Sequence, residues 1–252
     1  MTQSSTELKR HQGARREGYI STAPPEEFIV PLLKEHIENL LETYANKNNS
    51  RDTFALDVGC GRQPFRSNLE KAGYIYKSLD AVQNPEKSID FICQLDKALP
   101  HEIVVNIKYD FILCTEVMEH IAEWDIAFNN LAQLLKTGGI LLITCPHFYF
   151  LHEVPHDFWR ATPYALQHFG NKYNLKILHQ VSAGNAWDIL GTLLSVSYCL
   201  PMTRKIGDRI LSRFISFLIK FIFNLLRDRK LQKSVDFKSQ FYMSNIIIFE
   251  KL

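Results

Sequence analysis

The sequence lacks paired cysteines. Cys60, Cys93, Cys114, Cys145 and Cys199 stand apart, an odd number with no C-x-x-C spacing. That excludes a disulfide scaffold and the usual zinc-finger frames, and it fits reduced thiols in a cytoplasmic protein. The sequence also lacks any long run of uncharged apolar residues, so no membrane-spanning helix is expected. Its start, MTQSSTELKRHQGARREG, is polar and charged, without the apolar centre of a signal peptide. An excess of one charge is missing too. Twenty-nine Lys and Arg against 27 Asp and Glu leave a net charge of +2, too little to argue for a nucleic-acid partner. With 46% hydrophobic residues over 252 positions, the chain can bury a full core without staples. The near-neutral total hides one local imbalance. Residues 202–233 carry nine Lys or Arg and two Asp or Glu.

Periodicity divides the chain into short apolar runs alternating with helical stretches. Residues 1–23 are polar and are expected to fold over a ligand or stay loose. Pro24 opens a helical pattern to about Tyr44, and 46–52 is a polar break. Strands are expected at 54–58, 74–79, 89–93, 110–114, 140–145, 175–181 and 245–250. Helices are expected at 65–72, 121–135 and 162–169, the last with Thr162 as N-cap and Pro163 at its first position. Alternation of this kind predicts a parallel sheet covered on both faces, with ligands at the carboxyl ends of its strands.

The first strand end reads Leu56-Asp57-Val58-Gly59-Cys60-Gly61. Gly59 and Gly61 permit a tight turn and close approach of a ligand, and Asp57 is expected to orient the turn by accepting backbone N–H groups. The third glycine of a dinucleotide fingerprint is replaced by Gln63-Pro64. Pro64 has no N–H for a pyrophosphate, so a ligand without that group is favoured. Asp80 ends the second strand at a spacing suited to ribose hydroxyls. Beyond it come Ala81, then Gln94 and Leu95 near the third strand end. The Gln94 carbonyl suits an adenine amino group.

LDVGCG at 56–61, the acid Asp80, YDFILCTEVMEHI at 109–121 and LLKTGGILLITCP at 134–146 form an ordered set. This set resembles the class I S-adenosylmethionine-dependent methyltransferases over about residues 54–181. The resemblance implies an α/β, Rossmann-like fold. It has a seven-stranded, mostly parallel sheet with one antiparallel strand and helices on both faces. It implies S-adenosylmethionine as cofactor, with S-adenosylhomocysteine as product. Asp57, Gly59, Cys60 and Gly61 would meet the methionine part, and Asp80 and Ala81 the ribose. Gln94 and Leu95 would lie at the adenine, where the family usually has Asp. Thr115 and Glu116 would floor the methionine pocket. An N/D-P-P-Y/F motif is absent after the fourth strand, where Cys114-Thr115-Glu116 stands, which disfavours nucleic-acid methylation.

The segment after the fifth strand, 146–162, holds three histidines, two acids, an arginine and a run of aromatics. A histidine suits removal of a proton from an oxygen nucleophile near neutral pH. His152 is the expected general base, with His156 and His147 as alternatives. Tyr149, Asp157, Trp159 and Arg160 are expected to contact the acceptor, or in the last three cases to brace the loop. Metal ligation by His147, His152, His156 and Asp157 matches no common spacing, and no metal is expected. Glu119-His120 reads as pocket rim or helix cap. The pattern H-x-x-P-x-D-x-W-R-x-T, from His152 to Thr162, resembles a type 11-like subgroup associated with bacterial polysaccharide and glycoconjugate biosynthesis. That implies a sugar or glycoconjugate acceptor methylated on oxygen. A non-sugar natural product, methylated on N or O, and a donor-binding protein without catalysis remain the alternatives.

The reading is one domain over 1–252. It has an N-terminal arm and helix (1–45), a cofactor-binding core (53–181), a helical insertion (183–242) and a final strand (243–252). Within the insertion, 210–226 is nearly all apolar, with Arg213, Ser216, Lys220, Asn224 and Arg227 on one stripe. Such a helix needs a partner. It caps the acceptor pocket or joins a homodimer, lies peripherally in a membrane through 202–233, or spans one, at a cost set by Arg213 and Lys220.

Overall fold

The computed structural model describes residues 19–44, 53–197, 200–203, 205–234 and 240–252. The arm 1–18, the polar break at 46–52, Cys199 and part of the insertion (235–239) lie outside the described residues. The chain enters through a 3-10 turn, Pro24–Phe28, and α1, Val30–Tyr44. There follow β1 (Phe54–Val58), α2 (Arg66–Lys71), β2 (Ile75–Asp80), β3 (Phe91–Ile92) and α3 (His101–Asn106). Next come β4 (Tyr109–Thr115), α4 (Trp124–Leu134), β5 (Leu135–Pro146), α5 (Pro163–Lys172) and β6 (Leu175–Ala183). The insertion holds α6 (Ala186–Val196), α7 (Ile206–Leu226) and α8 (Arg229–Ser234), and β7 (Ser244–Lys251) closes the chain.

The seven strands lie in the order β3-β2-β1-β4-β5-β7-β6. Only β7 is antiparallel to its neighbours, inserted between β5 and β6. This is the mostly parallel sheet with one reversed strand that the resemblance implies. Successive side chains alternate faces, and both faces are dry. Leu56, Ile112, Leu141, Ile143 and Phe249 join one core with α4 and α5. Ala55, Phe111, Leu113, Leu142 and Ile248 join the other with α1. Burial on both sides is why the strands read as continuous apolar runs.

Several boundaries differ from the sequence expectation: β3 is only Phe91–Ile92, α5 runs on to Lys172, and the short helix His101–Asn106 lies outside the expected helices. α4 starts at Trp124 instead of 121, because residues 118–120 form a separate 3-10 turn whose Met118 carbonyl accepts from the Trp124 indole at 2.7 Å. β5 starts at Leu135, the last residue of the expected helix, and includes Lys136-Thr137-Gly138-Gly139. Tyr109 pairs with Leu135 and a register irregularity before Phe111 absorbs the extra residues. α7 starts four residues before the apolar run, at Ile206. The caps on α5 and α6 follow side-chain chemistry: Thr162 accepts from the Ala165 amide, and Asn185 from that of Trp187. No disulfide is present among the described residues. Cys60, Cys114 and Cys145 are buried and Cys93 is half-buried. Burial pushes the Cys93 thiol up to about 11.

Candidate active site

A cavity of about 260 Å³ opens at the carboxyl ends of β1, β2 and β4. The β1–α2 turn forms one wall. Gly59 has φ +67°, and a Cβ there would stand 2.2 Å from Val117 Cγ2. The position therefore takes glycine for two reasons, a left-handed backbone and a neighbour already against it. Gly61 donates its amide to Asp80 Oδ2 at 2.9 Å, which ties the turn to the end of β2. The sequence assigned that tie to Asp57, and the structure corrects it. Asp57 takes the Tyr76 hydroxyl at 2.9 Å instead. Burial raises the Asp57 carboxyl to about 7, against the lowering effect of the Tyr76 bond.

All ten residues proposed for the cofactor line this cavity. Asp57, Gly59, Cys60 and Gly61 come from β1 and its turn, and Asp80 and Ala81 from the end of β2. Gln94 and Leu95 follow β3, and Thr115 and Glu116 end β4. The turn and the nearly buried Asp80 form a cradle closed to larger side chains, suited to the polar backbone and ribose contacts of a nucleoside-like ligand.

The loop after β5 is held by one ion pair. Arg160 donates both terminal nitrogens to Asp157, each at 2.7 Å, and bonds the Tyr149 and Phe150 carbonyls. Burial pushes the Asp157 carboxyl up. The Arg160 fork and the His152 amide outweigh that and hold it below the ordinary carboxylate range. The same Asp157 oxygen lies 2.9 Å from the His152 amide and 3.4 Å from its Nδ1. His152 and Tyr149 line the cavity. The other proposed contacts do not. His147 stacks on Tyr242 and its Nδ1 bonds the Ala161 carbonyl at 2.9 Å. His156 offers its carbonyl to His120 Nδ1 at 2.7 Å. Trp159 donates to the Ile121 carbonyl and packs on Trp124. Asp157, Trp159 and Arg160 thus brace the loop and do not form its wall.

Glu119, expected at the pocket rim or in a helix cap, does line the cavity, and its burial is the new feature. It is fully buried, and neither carboxylate oxygen has a hydrogen-bond partner among the described residues. Burial first, and Glu116 second, hold its carboxyl well above the ordinary range. Its Oε1 lies 3.7 Å from His120 Nε2 and 3.9 Å from His152 Nε2. Ligand atoms of these three residues fall within 4.8 Å of one another, a donor set able to hold a metal ion. The histidine set weighed from the sequence is not assembled, since His147 is engaged elsewhere. The E-V-M-E-H string carried this signal, but only the 3-10 turn at 118–120 turns Glu119 inward. Two further acids at the cavity, Glu116 and Glu153, have φ of +52° and +51°. Non-glycine residues held there are strained and gather at functional sites. Tyr19 also lines the cavity and packs on Phe65, and Glu26 joins it by capping the 3-10 turn at 24–28. Tyr19 belongs to the segment 1–23, expected to fold over a ligand or stay loose, whereas nothing in the spacing marks Glu26.

The strand order, the glycine turn and the acid at the end of β2 together define the class I S-adenosylmethionine-dependent methyltransferase fold. The Methyltransferase domain family matches residues 32–185, more than half of the chain, and the chain belongs to that family. Among curated proteins it is similar to the ubiquinone biosynthesis O-methyltransferase of Rickettsia bellii. The two are 29% identical over 124 residues, covering 46% of this chain and 48% of the relative. The protein of the same name from Bartonella tribocorum is 29% identical over 99 residues, 35% of this chain and 39% of the relative. The chain spans about half the length of the curated relatives it matches. Among solved structures, a phosphoethanolamine N-methyltransferase 2 of Haemonchus contortus in complex with S-adenosyl-L-methionine superposes with TM-score 0.55. It is 16% identical, over 98% of this chain and 57% of that one. An S-adenosylmethionine-dependent methyltransferase of Archaeoglobus fulgidus gives 0.51 at 13% identity, over 86% and 94%. At these identities the likeness is one of fold.

Proposed function

We propose that this chain is an S-adenosylmethionine-dependent O-methyltransferase whose general base is His152. The observation that carries the proposal is the line from Arg160 through Asp157 to the cavity-lining His152. An Nδ1–H pointed at Asp157 and the Phe150 carbonyl, 3.3 Å away, leaves Nε2 as the basic nitrogen. Asp157 then stabilises the imidazolium formed when His152 takes the acceptor's proton. Arg160 keeps that carboxylate in place and ionised. Burial and the neighbouring Glu116 favour the neutral form of Glu119, whose Oε1 lies 3.9 Å from His152 Nε2. The Gly59–Gly61 turn and Asp80 would hold the donor, with Gln94 and Leu95 at its base. S-adenosylmethionine supplies a methyl group on a positively charged sulfur. Tyr149 and Phe148 at the cavity wall exclude water from the acceptor.

The acceptor class proposed is a hydroxyl of a sugar or glycoconjugate. It rests on the likeness of residues 152–162 to the polysaccharide-associated subgroup and on an aromatic wall suited to a sugar face. A phenolic acceptor is the second reading, favoured by the name the curated relatives share. Either acts in the cytoplasm on a small molecule or glycan. The test is transfer from methyl-labelled donor to two panels, glycosides and phenols, each with amine analogues. O-methylated product from either panel supports the proposal, and the productive panel fixes the acceptor class. Methylation of amines alone refutes it. Donor binding without transfer to any panel favours the non-catalytic alternative.

A further inference from the structure

Helix α7 is 21 residues long, and among the described residues it packs mainly through its C-terminal end, where Phe223 and Leu226 meet Phe28 and Trp187. Among its described residues only Ser212 and Leu226 are buried. None of its residues lines the cavity, so it does not cap the acceptor pocket. No helix among the described residues is long and apolar enough to cross a membrane. Its outward side carries Ile210, Phe214, Phe217, Phe221 and Leu225, 44–63% exposed. At about 100° per residue these five share one face, opposite Ser212. Arg209, Arg213 and Lys220, spaced by four and seven residues, form a second exposed row immediately beside it. Asp208 is the single acid of the helix, and it is bonded to the Thr203 hydroxyl.

We infer that α7 docks on the surface of an anionic lipid bilayer. Its aromatic and aliphatic face enters the boundary between headgroups and acyl chains, and the cationic row lies at the phosphates. Charge decides between this and a second copy of the chain. An antiparallel copy seated on the same face would bring a cationic row beside its own row, with Asp208 as the single carboxylate on each helix against three cations. A bilayer carrying anionic headgroups complements both the row and the nine-to-two basic excess of residues 202–233. A broad apolar face flanked by cations is the pattern of helices that lie in an interface plane. The inference stands independently of the reaction assigned to the cavity.

The test is flotation of the full chain with phosphatidylcholine vesicles, with and without roughly a third phosphatidylglycerol. The expected result is recovery with the anionic vesicles, at least about tenfold above pure phosphatidylcholine and reduced by high salt. Two variants separate the contributions. Phe217→Ser with Phe221→Ser removes apolar contact at exposed positions, and Arg213→Glu with Lys220→Glu reverses the row. Each is expected to lose anionic-vesicle recovery about tenfold while keeping the wild-type melting temperature and donor affinity. Wild type left in solution by the anionic vesicles overturns the inference. So does recovery of both variants at the wild-type level, or a solution dimer that the Phe variant breaks while wild type ignores lipid.

Discussion

Replacing Gly59 by Ala tests whether the β1–α2 turn is as tightly specified as its geometry implies. Two penalties apply at once. The left-handed backbone at φ +67° costs a residue with a Cβ about 1–2 kcal/mol. The new methyl would sit 2.2 Å from Val117 Cγ2, against a comfortable separation of about 3.5–4.0 Å. Val117 is short and branched, and it lies between the strained Glu116 and the buried Met118. Both Val117 methyls and its Cβ lie within 3.3 Å of the added atom, so rotating the side chain does not clear it, and overpacking of this kind costs about 1–3 kcal/mol. The sum is about 2–5 kcal/mol, or a fall in melting temperature on the order of 5–15 °C for a chain of this size. Gly73→Ala is the internal control. It has φ +89° with nothing within 4 Å of its added Cβ, so it carries the backbone penalty alone. Gly59→Ala should be the more destabilising of the two by about 1–3 kcal/mol in denaturant titrations, and it should weaken donor binding at least about tenfold. Equal destabilisation by the two variants would refute the contact argument. Full donor affinity in Gly59→Ala would detach this turn from the donor.

Asp57 makes stability depend on pH. Its carboxyl moves from an ordinary 3.8 to about 7 on folding. Its contribution is therefore fully present below about pH 4 and is lost as pH rises through 7, on the order of a few kcal/mol. Urea midpoints measured between pH 5 and 8 should fall for wild type and fall less for Asp57→Asn, and an unchanged slope would contradict this. Arg160→Ala leaves the Asp157 carboxylate, 1% exposed, without its cation and should cost about 3–5 kcal/mol by thermal denaturation. Arg160→Lys should recover less than half of that, because the ammonium cannot reproduce the two-pronged bond. Asp80→Ala should weaken donor binding at least about tenfold by calorimetry, about 1.4 kcal/mol, and a smaller change would remove Asp80 from the donor site.

The sheet was legible in the sequence because its strands are buried on both faces and bounded by Gly, Pro and polar turns. The cavity wall assigned to the cofactor was legible for a related reason: its residues sit at strand ends in a fixed order, so 57–61, 80–81, 94–95 and 115–116 converge once the strands are parallel. The loop 146–162 was legible in composition and not in orientation. Its histidines alternate between cavity and scaffold according to backbone hydrogen bonds that spacing does not reveal, as with His147 on the Ala161 carbonyl. Glu119 was legible as pocket rim or helix cap, from its place between a strand end and a helix, and not as a buried acid. A single 3-10 turn buries it. The exposure of α7 was the opposite case. Its apolar content predicted a partner, yet among the described residues only Ser212 and Leu226 of this helix are buried.

The most direct test of the account is to measure methyl transfer and donor affinity for wild type and His152→Ala under identical conditions, with an acceptor that wild type turns over. The account predicts a fall in kcat of at least about a hundredfold, with donor Kd unchanged within about twofold. Turnover by His152→Ala close to that of wild type would contradict it and remove His152 from the chemistry.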